Sequence, residues 1–365
     1  MDRGEAQPGD AVRVTDPKGR ALGLAHYSST SQITLRLLER GNAPEDGGAL
    51  PASFFHRRIE AAAAFRGRIV HESDAYRLVY SEADLVPGLI VDRYGDYFVL
   101  QTLTQGMERA QPEIVSTLEA LFHPAGILAR NDSTIRKKED LPLETKVLAG
   151  DIPARVALRM NGLAWHANLT GGQKTGIFLD QRENYVAARK YAHGRALDCF
   201  TSTGGFALHL APACERVEAV DSSAEALSTA EANRAANDIT NVEFRQADAF
   251  ELLAGYTAGK RSFDTVVLDP PAFAKARQNV TAALEAYKEI NLRALRLLSS
   301  GGVLVTCSCS HHVSEAALLG VVAEAANISG RTLRVLERRT QAGDHPILLT
   351  VPETHYLKCL IFEVI

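Results

Sequence analysis

The sequence predicts an α/β chain: a parallel sheet covered by helices on both faces and ending in an antiparallel hairpin, preceded by a small β-barrel and an α+β unit. Three observations predict it. From Ala196 onward, short apolar runs alternate with helical patterns, the order expected of parallel strands joined by crossover helices. The last two runs, TLRVLERR and YLKCLIFEVI, are joined by a loop and not by a helix, which suits an antiparallel pair at one edge. The opening stretch DAVRVTDPKGRALGLAHYSSTSQITLRLL alternates short strand patterns with turn residues, the pattern of a small barrel.

In chain order, the barrel pattern is followed by NAPEDGG, read as a flexible loop, and by a helix over FFHRRIEAAAAFR. Residues 67 to about 150 read as the α+β unit: YRLVYSEAD, LIVDRYGDYFVLQTL, a helix near Gln111 to Leu121, then GILARN and TKVLAG. The main sheet takes strands at 196–200, 216–220, 242–246, 263–268 and 303–308. Between the last two, Leu284, Tyr287, Ile290, Ala294 and Leu298 recur at spacings of three and four, an amphipathic helix stopped by Gly301 and Gly302. A helix over SEAALLGVVAEAANISG precedes the final pair.

Composition bounds the function. The chain has 365 residues, 46% hydrophobic and 23% charged, a globular balance with room for two or three domains. Its five cysteines are odd in number, lie mostly in apolar runs and show no secreted-type framework, so a reducing cytoplasm is expected. MDRGEAQPGD holds no signal core, and no stretch approaches the ~20 apolar residues of a membrane span. A net charge of -4 gives no whole-chain argument for nucleic acid, so any basic surface is local. Candidates are FFHRRIEAAAAFRGR and RNDSTIRKK, suited to phosphate contacts that position RNA without reading its sequence.

A nucleoside-cofactor pocket is legible at the strand ends. In LDCFTSTGGF (197–206), Asp198 stands in the strand, and Thr203, Gly204, Gly205 and Phe206 open the next helix. Glycines there allow a ligand close to the backbone. Asp221 ends the following strand at the separation from which an acidic side chain meets ribose hydroxyls. Asp248, ending the third strand, is placed to accept from an adenine amino group. The turn lacks the G-x-G-x-x-G of dinucleotide sites, so S-adenosylmethionine fits better than NAD. The competing reading makes Gly204-Gly205 a tight turn and Asp221 a helix cap.

FDTVVLDPPAF brings Asp269, Pro270, Pro271 and Phe273 to the end of the fourth strand. The prolines fix an extended turn, and the ring of Phe273 offers a surface for a base. TCSCSHH (306–312) then places Cys307 and Cys309 on one side of the fifth strand. A metal site is disfavoured because C-x-C-x-H-H has no second ligand pair; a buried filler suits Cys307 better than Cys309; a nucleophile gives Cys309 a task. That task is cytosine C5 methylation, in which a thiolate adds to C6 so that C5 becomes nucleophilic. Asp269 would hydrogen-bond or protonate the N3/N4 edge.

At TGGF, LDPPAF and TCSCS the chain resembles the bacterial 23S ribosomal RNA cytosine-5 methyltransferases with an N-terminal PUA domain. The resemblance extends to GGQKTGIFLDQREN, VDRYGDYFVLQTL and DHPILLTVPETHYLK. It implies a PUA-like RNA-binding domain over 1–65, shortened at its start, an α+β domain over 66–165, and a class I, Rossmann-like methyltransferase domain over 166–365. It implies Cys309, in S-C-S, as the nucleophile. It suggests that Lys174, Thr175, Phe178, Asp180 and Arg182 close over the methionine end of the cofactor or orient RNA. The chain departs from the family at Ser202 and Cys307, where an aromatic is usual, and at Ala272, where a lysine is frequent; Lys275 is the expected substitute contact. The implied partner is 23S ribosomal RNA or the pre-ribosomal large subunit, with a homodimer as a further association and neither a membrane nor a metal. Two rivals are a guanine N2 or N7 methyltransferase, which lacks the cysteine after the fifth strand, and a non-catalytic RNA-binding assembly factor. An extruded base must enter such a pocket, so a loosely paired target is expected.

Overall fold

The computed structural model describes residues 5–41, 49–171, 177–274 and 276–365. The expected loop NAPEDGG, and Lys174, Thr175 and Lys275, lie outside the described residues. The chain divides into two compact units. One comprises residues 1–162, 167–177 and 344–354; the other comprises 163–166, 178–343 and 355–365. Among the described residues, no helix is long and apolar enough to cross a membrane.

The first unit opens with β1 (Ala11–Thr15), β2 (Ala21–Tyr27) and β3 (Leu35–Arg40), an antiparallel three-stranded sheet in the region expected to form the small barrel. Helix α1 (Phe54–Ile69) runs across residue 65. Its Phe54, Phe55, Ile59 and Ala62 share one core with Leu38 of β3 and with the strands that follow. Those strands are β4 (Ala75–Tyr80), β5 (Leu89–Tyr94), β6 (Tyr97–Thr102), β7 (Gly126–Asn131) and β8 (Glu144–Gly150), in sheet order β4-β5-β6-β7-β8. Only the β6–β7 pair is parallel, because the connection between them is helix α2 (Gln105–Phe122).

Helix α2 begins well before the expected Gln111. Thr104 caps it by accepting from the Met107 N–H. Gly106 in its first turn and Pro112 further on obscure that start, and the glycine has a packing reason: a Cβ there would lie 2.2 Å from the His26 ring. In the same unit the buried Arg66 forms a two-pronged pair with Asp84, at 2.5 and 2.8 Å, and donates to the Asp344 carbonyl at 2.8 Å. Asp344 in turn accepts the Arg77 N–H at 2.8 Å. The block DHPILLTVPET therefore fastens to α1 and β4.

Strand β9 (Val156–Met160) lies in the first unit, and residues 163–166 of β10 (Leu163–Ala167) belong to the second. The second unit continues with α3 (Arg182–Arg189), β11 (Arg195–Cys199), α4 (Gly205–Leu210), β12 (Arg216–Asp221), α5 (Ala224–Ala236), β13 (Val242–Gln246) and α6 (Ala249–Ala258). Then come β14 (Phe263–Leu268), α7 (Val280–Leu297), β15 (Leu298–Ser308), α8 (Glu315–Ser329), β16 (Leu333–Arg339) and β17 (Lys358–Val364). The seven-stranded order is β13-β12-β11-β14-β15-β17-β16. Five strands are parallel, and β17 enters antiparallel between β15 and β16, as the loop-joined terminal runs predict. This is the Rossmann-like class I methyltransferase architecture.

The strand order reverses beside β11, which lies between β12 and β14. In open parallel sheets a crevice forms outside the carboxyl ends of the strands at such a switch point. One expectation is corrected here. Helix α7 ends at Leu297 and not at Gly301-Gly302, because Leu298 is already extended and pairs with Phe263 of β14. Gly301, at φ 78°, forms a bend inside the strand segment. On its inner side, α7 buries Ala283, Tyr287, Ile290 and Ala294 against the sheet. Helix α8 is well delimited: the Ser314 side chain accepts from the Ala317 N–H at 3.1 Å, and Gly330 takes the left-handed turn that ends it.

Candidate functional site

Four strand ends make one rim. Parallel pairing sets Cys199 beside Val220 on one side and beside Leu268 on the other, and Leu268 beside Thr306. The residues that leave these strands are the loop 200–204, Asp221, Asp269 and Cys309. All the described residues of the two predicted constellations in the second unit therefore come from neighbouring elements.

The loop after β11 has an unusual backbone. Phe200, Ser202 and Gly204 have φ of 65°, 51° and 91°, and the residues between them are not left-handed. Alternation of this kind turns successive N–H groups toward a common concavity. The Ser202 N–H is taken by Asp221 Oδ2 at 2.9 Å, and Asp221 Oδ1 accepts the Ser223 N–H at 2.9 Å. Asp221 is thus a loop clamp and not a cap, since Ser223 itself caps α5. It is partly exposed, and each carboxylate oxygen has a second lone pair free for a hydroxyl donor.

Gly205 is required by packing: a Cβ there would sit 2.4 Å from Cζ of Tyr185. Phe206 is buried edge-on against the same ring, with centroids 4.8 Å apart. The Thr203 carbonyl accepts from Asn233 Nδ2 at 3.1 Å, which holds the loop to α5. Asp198 is fully buried; its Oδ2 accepts from Thr201 Oγ1 at 2.6 Å and from the Ala207 N–H at 2.9 Å, while Oδ1 has no hydrogen-bond partner. Burial, reinforced by the nearby Asp269 and Asp221, pushes its carboxyl up to about 7 against the relief of those two hydrogen bonds.

Asp248 differs from the expectation. It lies beyond the end of β13 and caps α6, its Oδ1 accepting the Glu251 N–H at 3.0 Å. The pattern Asp248-x-x-Glu251 is a capping signature present in the sequence. Its other oxygen remains available on the rim.

At the far side, Asp269 is tied to a chain of amides. Arg339 Nε donates to Asn184 Oδ1 at 2.9 Å, Asn184 Nδ2 to Gln181 Oε1 at 2.7 Å, and Gln181 Nε2 to Asp269 Oδ1 at 2.9 Å. Each donor fixes the orientation of the next amide, so Asp269 Oδ1 faces an N–H and acts as an acceptor. Asp180 is buried and accepts from the Tyr356 hydroxyl at 2.6 Å. Burial raises the Tyr185 hydroxyl well above its ordinary value, and the carboxylates of Asp269, Asp180 and Asp198 add to it. These three acids converge on that ring. Arg182 is buried in the first turn of α3, with Glu183 at 3.4 Å. The Phe178 carbonyl accepts from the Tyr185 hydroxyl at 3.3 Å.

The loops after β14 and β15 are stitched together. Pro270 is buried and Pro271 exposed; Phe273 is half-buried, its ring 4.8 Å from Tyr287 and 5.8 Å from Phe250. Much of that ring is therefore core. Ser310 is buried, and its Oγ accepts the Ala274 N–H at 3.2 Å and meets the Tyr287 hydroxyl at 3.2 Å. The Ser310 N–H returns to Ser308 Oγ at 3.3 Å. Both serines of S-C-S thus hold the turn that carries Cys309.

The two cysteines have different surroundings. Cys307 is fully buried, paired across the ladder with Cys359, and its thiol is driven well above the ordinary range by burial and then by Cys359. Cys309 lies past the last ladder pair and is partly exposed. Among the described residues, no group of three or more His, Cys, Asp or Glu side chains is arranged to hold a metal.

Sequence reasoning did not single out Gln181, Asn184, Tyr185, Tyr287, Ser310 or Lys358. Gln181, Asn184 and Lys358 lie within GGQKTGIFLDQREN and DHPILLTVPETHYLK, blocks that carry the resemblance; their contacts join distant segments.

Comparison with known proteins agrees with this architecture. A family model described as "Methyltransferase domain" matches residues 190–341, and one described as "PUA-like domain" matches residues 1–40. The chain is 38% identical over 364 residues to "Ribosomal RNA large subunit methyltransferase I" of Klebsiella pneumoniae subsp. pneumoniae, covering 97% of this chain and 90% of that protein. It is 38% identical over 371 residues to the Tolumonas auensis protein of the same name, covering 100% and 92%. Among solved structures, a SAM-dependent methyltransferase from Streptococcus mutans superposes with a TM-score of 0.82 at 19% identity, covering 98% of this chain and 92% of that one. A methyltransferase complexed with SAH superposes with a TM-score of 0.83 at 19% identity, over the same shares. The cofactor is S-adenosylmethionine, and the left-handed loop 200–204 with Asp221 beside it fits a nucleoside and an amino-acid carboxylate. The chain belongs to the family of ribosomal RNA large subunit methyltransferase I.

Proposed function

We propose that the protein methylates C5 of a cytosine in large-subunit ribosomal RNA, with Cys309 as the nucleophile. One observation carries this reading. A partly exposed cysteine and an aspartate stand at the carboxyl ends of adjacent parallel strands, β15 and β14, and their loops are joined through Ser310 and Ala274. A guanine N2 or N7 transfer has no task for that thiol.

S-adenosylmethionine supplies an electrophilic methyl group. Asp221 and the loop 200–205 bind its ribose and its polar tail, and Asp248 stands toward the base. Cys309 forms a bond from Sγ to C6 of the cytosine, which places electron density on C5. Asp269, held at Oδ1 by Gln181, uses its other oxygen on the N3/N4 edge, where charge develops. After C5 is alkylated, loss of the C5 proton restores the ring and expels the Cys309 thiolate. Pro270 and Pro271 hold the base-facing loop extended. Lys174, Phe178 and Asp180 are assigned to the cofactor side, and Phe273, Lys275 and Arg182 to the substrate side. For Arg182 the assignment requires the buried guanidinium to turn outward when RNA binds.

The test is transfer of labelled methyl to unmodified 23S ribosomal RNA and to pre-ribosomal large subunits, followed by nucleoside analysis. Label in 5-methylcytidine that disappears in Cys309→Ala is expected. Label in a methylguanosine that survives this substitution refutes the nucleophile, and no label on either substrate favours a binding factor.

A further inference from the structure

Lys358 is a lysine in an unusual place. It is 3% exposed at the start of β17, directly across the ladder from Ser308. Its Nζ donates to the carbonyl oxygen of Ser310 at 2.7 Å and to that of Tyr356 at 2.8 Å. Among the described residues these two carbonyls are its acceptors, and no carboxylate lies within ion-pair distance of it. Desolvating an ammonium without a counter-charge is costly, so such lysines are retained where a charge is needed.

The surroundings of Cys309 indicate where that charge acts. Burial draws the Lys358 ammonium down to about 8, and the strongest opposing influence is Cys309, ahead of Glu315. The interaction is mutual: a thiolate that favours the ammonium is itself favoured by it. Among the described residues, the groups considered next are neutral or acidic. Tyr287 from α7 is neutral, its hydroxyl raised chiefly by burial, and both Cys309 and Asp269 lie within its electrostatic reach. Asp269 at the end of β14 and Glu315 on α8 are acids. His311, on the same turn and stacked on Tyr356 at 5.4 Å, is pushed toward its neutral form by burial and by Lys358 and His312. His312 is the remaining neighbour on that turn. Lys358 also braces the backbone next to the nucleophile, because its acceptor is the carbonyl of the residue that follows Cys309.

We propose that Lys358 is the positioning residue for the nucleophile, fixing the 308–310 turn from below and supplying the buried positive charge that stabilises the Cys309 thiolate. This rests on Cys309 being the nucleophile, and it adds the means by which a thiol ordinarily near 8.5 reaches a useful thiolate fraction at neutral pH.

The experiment is alkylation of the full-length protein with iodoacetamide from pH 5.5 to 10, followed at the Cys309 peptide by mass spectrometry. Wild type, Lys358→Met and Lys358→Arg are compared. The wild-type midpoint is expected below the free-thiol value of about 8.5. Lys358→Met is expected to raise it by about one unit or more, a roughly tenfold loss of alkylation rate at pH 7, and Lys358→Arg to stay near wild type. A slower Lys358→Met protein with an unmoved midpoint would be a structural effect and would overturn the proposal. If Lys358→Met does not fold, the wild-type midpoint decides: a value at or above about 8.5 overturns it. The readout is independent of the RNA product, so a guanine product would sink the cytosine reading without altering the alkylation result.

Discussion

Replacing Asp198 by Asn removes a titration that the fold imposes on a buried strand end. Asp198 is fully buried, and its carboxyl is pushed up to about 7, chiefly by desolvation. In the unfolded chain the same group ionises near 3.9. Between these values the folded state keeps a proton that the unfolded state has lost, so stability falls as pH rises toward 7 and is flat above it. From pH 5 to pH 8 the contribution lost is two units at 1.36 kcal/mol each, or on the order of 2–3 kcal/mol. Asn fits the same space: its Oδ1 can accept from Thr201 and Ala207 as Asp198 Oδ2 does. Its Nδ2 then occupies the site of the unpartnered Oδ1, at a cost that is the same at both pH values and cancels in the comparison. The assay is urea unfolding without cofactor, followed by fluorescence of Trp165, the single tryptophan, which is buried in the second unit. The stability of Asp198→Asn relative to wild type should rise by ~2–3 kcal/mol between pH 5 and pH 8. A difference that does not change with pH would refute the reasoning, because it would mean that Asp198 is charged throughout.

Two further outcomes are expected. Gln181→Leu removes the amide that donates to Asp269 Oδ1; at about 1.5–3 kcal/mol for a hydrogen bond to a charged group, methyl transfer should fall roughly tenfold to a hundredfold, and a change within twofold in a labelled-methyl assay would show that the amide chain does not position Asp269. Arg66→Met leaves Asp84, part-exposed, without its two-pronged partner and should destabilise the first unit by about 3–5 kcal/mol, read as faster hydrogen exchange of the β4 amides; protection equal to wild type would contradict this.

Much of the second unit was legible because its signals are local. The apolar runs at 216–220, 242–246 and 263–268 all fall in strands, and the loop-joined terminal pair forms the expected antiparallel edge. Signals went astray where a distant partner overrides a local preference. Gly301-Gly302 reads as a helix stop, yet pairing of Leu298 with Phe263 ends the helix first. The start of α2 is concealed by a glycine whose reason is His26, far away in sequence. For the site, residue types at strand ends were visible, whereas their supports were not. Nothing in the composition of FLDQREN says that Gln181 meets Asp269, since that contact spans 88 residues. Asp248 is the opposite case: its helix-capping partner Glu251 stands three residues away in plain view.

In the proposed mechanism, position relative to the strand end, more than residue type, separates the two cysteines. Cys307 and Cys309 stand two positions apart, about 7 Å along an extended chain. At Cys307 the ladder still has a partner on β17, and that partner is another cysteine; the thiol is enclosed and held neutral. The last pair is Ser308 with Lys358. Beyond it the chain leaves the sheet, Ser310 turns back to bond the Asp269 loop and Tyr287, and Cys309 comes to the rim between them. A thiolate mechanism at Cys307 would require ionising a thiol enclosed by the ladder. At Cys309 the strand end itself brings the lysine, because the residue that closes the ladder on β17 is Lys358.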